Sequence, residues 1–379
     1  MRSMLGLVFV SSFVLGACSG AESGTLRRSP SGSAPVDTND PTGDTGPTGS
    51  TTAAIACPAD VPAAKALGTA TDPADVHFAQ GNIVYRDARK VYRIKADGTG
   101  NGEIYTNENL IRSYADDTSL VAIEETPADP TAVIKIMPIG ETTGSDGKPV
   151  TTLPVTLTPG WNAAGTFVFA SDAQYLYFLA DVPNLGDTIY KVAKQGLAMT
   201  VLAQLNAPLT DPLLSGTDVW FVRDARRVYK VAQTAVAIPG EDLPGKDGTQ
   251  PQQAQEIFSM GYADCRLAVG GDKTYCSTGA ALETRDLKGA NVATVLDGTK
   301  AKAPFTLGPA MYTDTLLLRT LPSTATDPLK HGIRAVKVDG ASATEKTIAC
   351  GREPIGAFAA SASLVVWAEK GKGLFSAPR

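Results

Sequence analysis

Histidine is nearly missing from this chain, which holds only His77 and His331 in 379 residues. A histidine-ligated metal centre or a histidine-driven general-base mechanism therefore has little to build on. A surplus of one charge is missing as well, since 34 lysines and arginines face 39 aspartates and glutamates for a net charge of −5. Such a balance recruits neither nucleic acid nor anionic headgroups by itself. The five cysteines show no closely spaced pairs of the kind that hold zinc. No EF-hand spacing and no nonapeptide calcium repeat is present. The sequence assigns no catalytic, cofactor-binding or metal-binding residue.

What is there starts at the N-terminus. Arg2 precedes the apolar run Leu5-Gly6-Leu7-Val8-Phe9-Val10-Ser11-Ser12-Phe13-Val14, which is too short to span a bilayer and has the charged-then-apolar layout of a secretory signal. The run ends in Leu15-Gly16-Ala17-Cys18, which resembles the lipobox of bacterial lipoproteins. That resemblance implies a signal peptide over residues 1–18 and lipid attachment at Cys18, the first residue of the mature chain. In the Gram-negative family a residue other than aspartate after the cysteine, here Ser19, implies sorting to the outer membrane. Which side of that membrane the chain faces is left open. An ordinary signal peptide with an incidental cysteine is the alternative.

Residues 19–56 hold Gly, Ser, Thr, Pro and Asp almost to the exclusion of large apolar residues. Such a segment buries too little surface to offset its ordering entropy and is expected to be a disordered tether. As a flexible coil it would reach roughly 35 Å. The folded domain is expected over residues 57–379. Outside the cytoplasm Cys57, Cys265, Cys276 and Cys350 form an even set, better read as two disulfides than as ligands or nucleophiles.

The organising stretch runs from Asp72 to Asn107. Apolar and aromatic residues alternate through Val76–Ala79, Ile83–Tyr85, Val91–Ile94 and Glu103–Tyr105, with turns between them, so the stretch reads as four antiparallel strands. Degenerate copies start near residues 111, 164, 211, 262, 307 and 355, a spacing of about 40 to 50 residues that fits propeller blades. The third strand repeats most clearly, as Val91-Tyr92-Arg93-Ile94, Ile189-Tyr190-Lys191-Val192, Val228-Tyr229-Lys230-Val231, Ile333-Arg334-Ala335-Val336 and Leu374-Phe375-Ser376-Ala377. The expected fold is all-β, a β-propeller for which seven blades fit best, with six and eight as the neighbouring counts. The last unit supplies only three strands, so Ala63–Gly68 is expected to complete it and close the ring.

These third strands resemble the large group of propellers with a Tyr-Arg-Val-x-x-Asp-Gly-like blade motif, the TolB-like and YWTD-like propellers among them, which includes extracytoplasmic lipoproteins of unassigned role. The resemblance covers about residues 60–379 and implies the fold. The Gly-His to Trp-Asp pairing of WD40 blades and the Asp-box of sialidase-like blades are both missing, so no catalytic residue is carried over.

Cys265 and Cys276 flank a turn at Gly270-Gly271-Asp272 and are expected to bridge two neighbouring strands. Cys57 and Cys350 remain, and their bond would tie the N-terminal segment to the edge of the last blade. His77 falls on a channel-lining first strand and His331 in a loop; streptogramin-lyase-type propellers use histidine with acidic partners at the channel. Asp116-Asp117 and Glu124-Glu125 point to opposite faces within each pair and read as solvated turn and edge residues. The tips Arg86-Asp87-Ala88-Arg89-Lys90 and Arg223-Asp224-Ala225-Arg226-Arg227 read as hairpin turns. Trp220 and Trp367 read as core, with Trp161 beside Pro159-Gly160 the expected exception. The loop Gly240–Gln255 is the candidate specificity element. The expected function is a lipid-anchored, extracytoplasmic module that binds an envelope protein or glycan. The alternatives are a propeller-type lyase or hydrolase acting at the channel, and a structural envelope lipoprotein without a small ligand.

Overall fold

The computed structural model describes residues 57–126, 128–139, 155–204, 207–237, 254–261, 264–278, 281–297, 305–312, 315–320, 331–339 and 342–379. Cys18, the tether and nearly all of the Gly240–Gln255 loop lie outside the described residues.

The described residues form strands and turns, grouped in antiparallel quartets. A short strand, β1 (Lys65–Gly68), comes first. The first unit follows as β2 (Pro73–Ala79), β3 (Asn82–Asp87), β4 (Lys90–Lys95) and β5 (Gly102–Thr106). The second is β6 (Leu110–Ala115), β7 (Ser119–Thr126), β8 (Asp129–Pro138) and β9 (Val155–Leu157). The third is β10 (Asn162–Ser171), β11 (Tyr175–Val182), β12 (Gly186–Ala193) and β13 (Met199–Gln204). The fourth holds β14 (Leu209–Ser215), β15 (Asp218–Arg223), β16 (Arg227–Ala232) and β17 (Gln255–Ser259). The fifth holds β18 (Arg266–Gly270), β19 (Lys273–Ser277), β20 (Ala281–Asp286) and β21 (Ala293–Asp297). The sixth holds β22 (Phe305–Tyr312), β23 (Thr315–Thr320), β24 (His331–Asp339) and β25 (Ser342–Arg352). The last run is β26 (Ile355–Ala360), β27 (Leu364–Glu369) and β28 (Gly373–Pro378), three strands to which β1 adds a fourth by pairing antiparallel with β28.

First strands touch around a closed circuit, β2 against β6, then β10, β14, β18, β22, β26 and back to β2. A ring of four-stranded sheets around a central channel is a β-propeller. The second and third units are also joined by one bridge, Asn162 opposite Thr131. One apolar cluster fills each interface between neighbouring units. At the closing interface Leu67, Ile83 and Tyr85 meet Val366, Ala368 and Leu374.

The alternation of the repeats explains the strands. Even positions of each second and third strand enter one interface and odd positions the other. Directly opposed aromatics staple these two strands in four units: Tyr85 with Tyr92, Phe178 with Tyr190, Phe221 with Tyr229, and Trp367 with Phe375. Two-residue turns make the tightest hairpins. Gln80-Gly81 joins β2 to β3 with both residues at positive φ, 50° and 72°, and Gly271 at φ 60° opens the β18–β19 turn.

Both disulfides are formed. Cys265 and Cys276 lie 5.1 Å apart at their Cα atoms, and Cys57 and Cys350 lie 5.8 Å apart. Two details differ from expectation. Cys276 stands opposite Leu267 in the ladder, so its bond to Cys265, just before β18, runs diagonally across the hairpin. Cys350 lies on β25, the outermost strand of the sixth unit, because the seventh unit starts only at Ile355. The long bridge therefore ties the segment before β1 to the unit preceding the closed one.

The Cys57–Cys350 bond spans 293 residues and should contribute about 5–6 kcal/mol in the chain-entropy picture. We expect the Cys57→Ser, Cys350→Ser double variant to melt roughly 5–10 °C lower by circular dichroism. Replacing Cys265 and Cys276 by alanine, which opens a loop of 11 residues, should cost about 3 kcal/mol and lower the midpoint less. The reverse ranking would show that the long bridge does not hold the ring closed.

Candidate functional site

First strands face the channel, and most of them are not regular. The pairing of β2, β6, β10, β14, β22 and β26 with their second strands slips in register. Such bulges raise the local twist and re-aim side chains. Asp75 and Asp211 occupy two of them at φ 49° and 51°. Asp75 Oδ2 accepts from the Ser113 amide at 2.8 Å and from Arg86 Nε at 2.6 Å. Asp211 Oδ2 accepts from the Leu267 amide at 3.2 Å, and its Oδ1 from Arg266 at 3.3 Å. In both cases a carboxylate on one unit caps the inner strand of the next.

Among the described residues, two adjoining chambers of the channel share lining side chains. The larger, about 600 Å³, is lined from all seven units, chiefly by Phe78, Phe167, Phe169, Leu213, Leu317 and Phe358. Its polar lining includes Asp116, Asp117 and Asp211. The smaller, about 310 Å³, is lined by Arg112, Ser113 and Arg319 among others. His77, Tyr114, Phe167 and Phe358 border both.

Carboxylates at the channel are already engaged. Asp116 accepts from Lys194 at 2.7 Å and from the Thr118 amide. Burial works to raise its pKa, but Lys194, Ser171 and Thr118 together hold it below the usual carboxylate range. Asp117 accepts from the Gln80 amide at 2.6 Å. Burial pushes the Asp211 carboxyl up, against the pull of Arg266.

His77 lies on β2 at the channel, as its position in the repeat implies. Its Nε2 is 3.3 Å from the Ser113 carbonyl, and its ring meets Tyr114 edge-on with centroids 4.8 Å apart. Burial lowers its pKa, outweighing the opposing charge of Asp75. His331 is not in a loop; it is the first residue of β24, opposite Arg352. Burial and the neighbouring Arg319 charge lower its pKa. His331 borders neither chamber, so the two histidines do not combine as an acid-base pair there.

The paired acidic residues part as the strand geometry implies. Asp116 turns to Lys194 of the third unit and Asp117 to Gln80 of the first. Glu124, however, is buried rather than solvated: it pairs with Lys135 at 2.9 Å and accepts from the Tyr105 hydroxyl. Both basic tips are hairpin turns whose charges are largely paired. Lys90 meets Glu103, Arg227 meets Asp224, and Arg226 meets Asp264. Trp161 corrects its expectation, being 2% exposed with its ring 4.5 Å from Tyr190. Arg112, Ser113, Phe167 and Phe358 escaped notice in the sequence. The signal that marks them is their place on a first strand, visible once the units are aligned.

No protein-family model matches the chain, and neither does any curated protein. Solved structures do. The chain is similar to one in the mitotic checkpoint complex at TM-score 0.55 and 12% identity, covering 86% of this chain and 99% of that one. It is similar to virginiamycin B lyase from Staphylococcus aureus at TM-score 0.54 and 10% identity, covering 84% and 99%. The fold is a β-propeller. A third likeness, at TM-score 0.50 and 11% identity over 82% and 96%, is to the β-propeller domain of the Trilobed protease from Pyrococcus furiosus, which has an open velcro topology. Here β1 closes the seventh unit instead. Identities this low carry the fold alone.

A half-buried histidine with a lowered pKa destabilises the fold in acid. Above the unfolded value of 6.5 His77 is neutral in both states; below it the unfolded chain takes a proton that the folded ring refuses. We expect stability to fall from pH 7.5 to 5.5, with His77 contributing a slope of at most about 1.4 kcal/mol per pH unit. His77→Gln should flatten that slope in urea unfolding, and an unchanged slope would contradict the burial argument.

Proposed function

We propose that this chain is a lipid-anchored, extracytoplasmic β-propeller that acts as an interaction module for a protein of the bacterial envelope. The anchor reading rests on Leu15-Gly16-Ala17-Cys18, the outer-membrane assignment on Ser19, and export is supported by the two disulfides. A tether of residues 19–56 would hold the ring clear of the headgroups.

The observation that carries the binding role is the channel. Asp75, Asp116, Asp117 and Asp211 each already accept a hydrogen bond from a neighbouring unit or turn, while the walls are apolar and aromatic. Groups held this way stiffen the ring and leave the short turns on its rims as the surface offered to a partner. A chain of similar fold sits in the mitotic checkpoint complex, which fits a role in assembly.

Two measurements check this. Metabolic labelling with an alkynyl fatty acid should mark the full chain and be lost in Cys18→Ser, which should also leave the membrane fraction; a label that survives the substitution would remove the anchor at Cys18. The full chain, immobilised under oxidising conditions, should retain one envelope protein at near-stoichiometric level by mass spectrometry. Retention of nothing above a denatured control would sink the interaction-module reading.

A further inference from the structure

The charged groups that border the channel already have partners. Asp116 is paired with Lys194 at 2.7 Å, Asp211 with Arg266 at 3.3 Å and Asp75 with Arg86 at 2.6 Å. Asp117 accepts from the Gln80 amide. Arg112 donates to the Ala164 carbonyl at 3.2 Å and lies 5.6 Å from the Phe167 ring centroid, and Arg319 donates to the Ile355 and Gly356 carbonyls. An ion entering this space would shed its hydration to meet groups that are satisfied without it, which is costly. What the walls leave unmatched is of another kind.

Phe78, Phe167, Phe169 and Leu213 each pack against an interface cluster yet stay partly exposed, and each borders the larger chamber. Apolar surface left facing water is stabilised by an apolar body that covers it. Phe167 and Phe358 border both chambers, so the aromatic lining extends from the larger to the smaller. A second observation falls there. Ser113 is 7% exposed and borders the smaller chamber, and its Oγ has no hydrogen-bond partner. Its backbone is occupied, the amide by Asp75 and the carbonyl by His77 Nε2 at 3.3 Å. A buried hydroxyl left unpaired costs free energy unless something in the cavity completes it.

We infer that the channel binds a small uncharged aromatic molecule bearing one hydroxyl or carbonyl, with its rings between Phe78, Phe167 and Phe358 and its polar group on the Ser113 hydroxyl. The chambers measure about 600 and 310 Å³, a size that suits one small molecule. An apolar wall with few polar groups is the usual make-up of such a site. Here the phenylalanines supply affinity and the serine supplies orientation. This site does not depend on the envelope partner of the rims; either reading stands if the other fails.

The test keeps the ring system and changes its substituent. Naphthol, naphthalene, naphthoate and naphthylmethylammonium are presented to the full chain with both disulfides formed; naphthol binding is read by its own fluorescence and the others by displacing it. Naphthol should bind about tenfold or more tightly than either ion and a few-fold more tightly than naphthalene. Ser113→Ala should remove most of that lead while leaving naphthalene within roughly twofold, whereas Phe167→Ala should weaken naphthol and naphthalene alike by a few-fold. Thermal melts of both variants check that the ring is intact, and the four-ligand comparison on the unaltered chain stands even if a variant fails to fold. The proposal is overturned by an ion that binds as tightly as naphthol, by no binding of naphthol, or by a lead over naphthalene that is absent or survives Ser113→Ala.

Discussion

Everything in this molecule depends on joining the first strand to the last. A sheet edge exposes unpaired amides and carbonyls, and without β1 the last unit would stop at three strands, with β28 bare and its interface with the first unit underfilled. Pairing β1 with β28 covers the edge of β28, makes the short β1 the outer strand of that unit, and brings Leu67 into the cluster that Ile83, Tyr85 and Val366 complete. Cys57 precedes β1 by a few residues and is bonded to Cys350 on the sixth unit. The closing strand is therefore held twice, by its ladder and by a covalent bond to the neighbouring unit.

Around the ring, apolar clusters supply the bulk of the cohesion and charged groups supply the registration. Lys194 of the third unit reaches Asp116 of the second at 2.7 Å, and both side chains are largely buried. Within the closing region Glu369 accepts from Arg352 of the sixth unit at 2.5 Å and from Trp367 Nε1 at 2.7 Å. Paired charges of this kind add little net stability over apolar packing, but they penalise any displacement that would strand one partner. Asp75 and Asp211 do the same with backbone amides, locking the inner strand of the following unit where it borders the channel. A rigid ring with a shaped interior is the result, and that rigidity is what allows a cavity of about 600 Å³ to persist at its centre.

The functional consequence is a separation of surfaces. Among the described residues the basic hairpin turns have charges mostly satisfied locally, Lys90 by Glu103 and Arg227 by Asp224. Along the channel the walls are aromatic, with basic groups toward one end and the acidic turn Asp116-Asp117 at the other end of β6.

The repeat, the strand order and the closing strand were legible in the chain itself. Second and third strands alternate apolar and polar residues at period two, and their aromatics, Tyr85 with Tyr92 or Phe221 with Tyr229, meet directly across the ladder as that pattern requires. The two cysteine pairs were legible as an even set, with Cys265 and Cys276 flanking a hairpin turn. The site was not. First strands carry bulges, and one extra residue flips every following side chain to the other face, so alternation ceases to say which residues enter the channel. Trp161 illustrates the limit: beside Pro159-Gly160 it looks exposed, yet the carbonyl of Trp161 accepts from Ala132 at 2.7 Å and its ring turns inward onto Tyr190. Local periodicity determined the strands and their grouping into units. Only the closed ring decided that Arg112, Arg319 and Ser113, drawn from the second and sixth units, share one chamber, because that meeting depends on the curvature of the whole circle and on no short stretch of it.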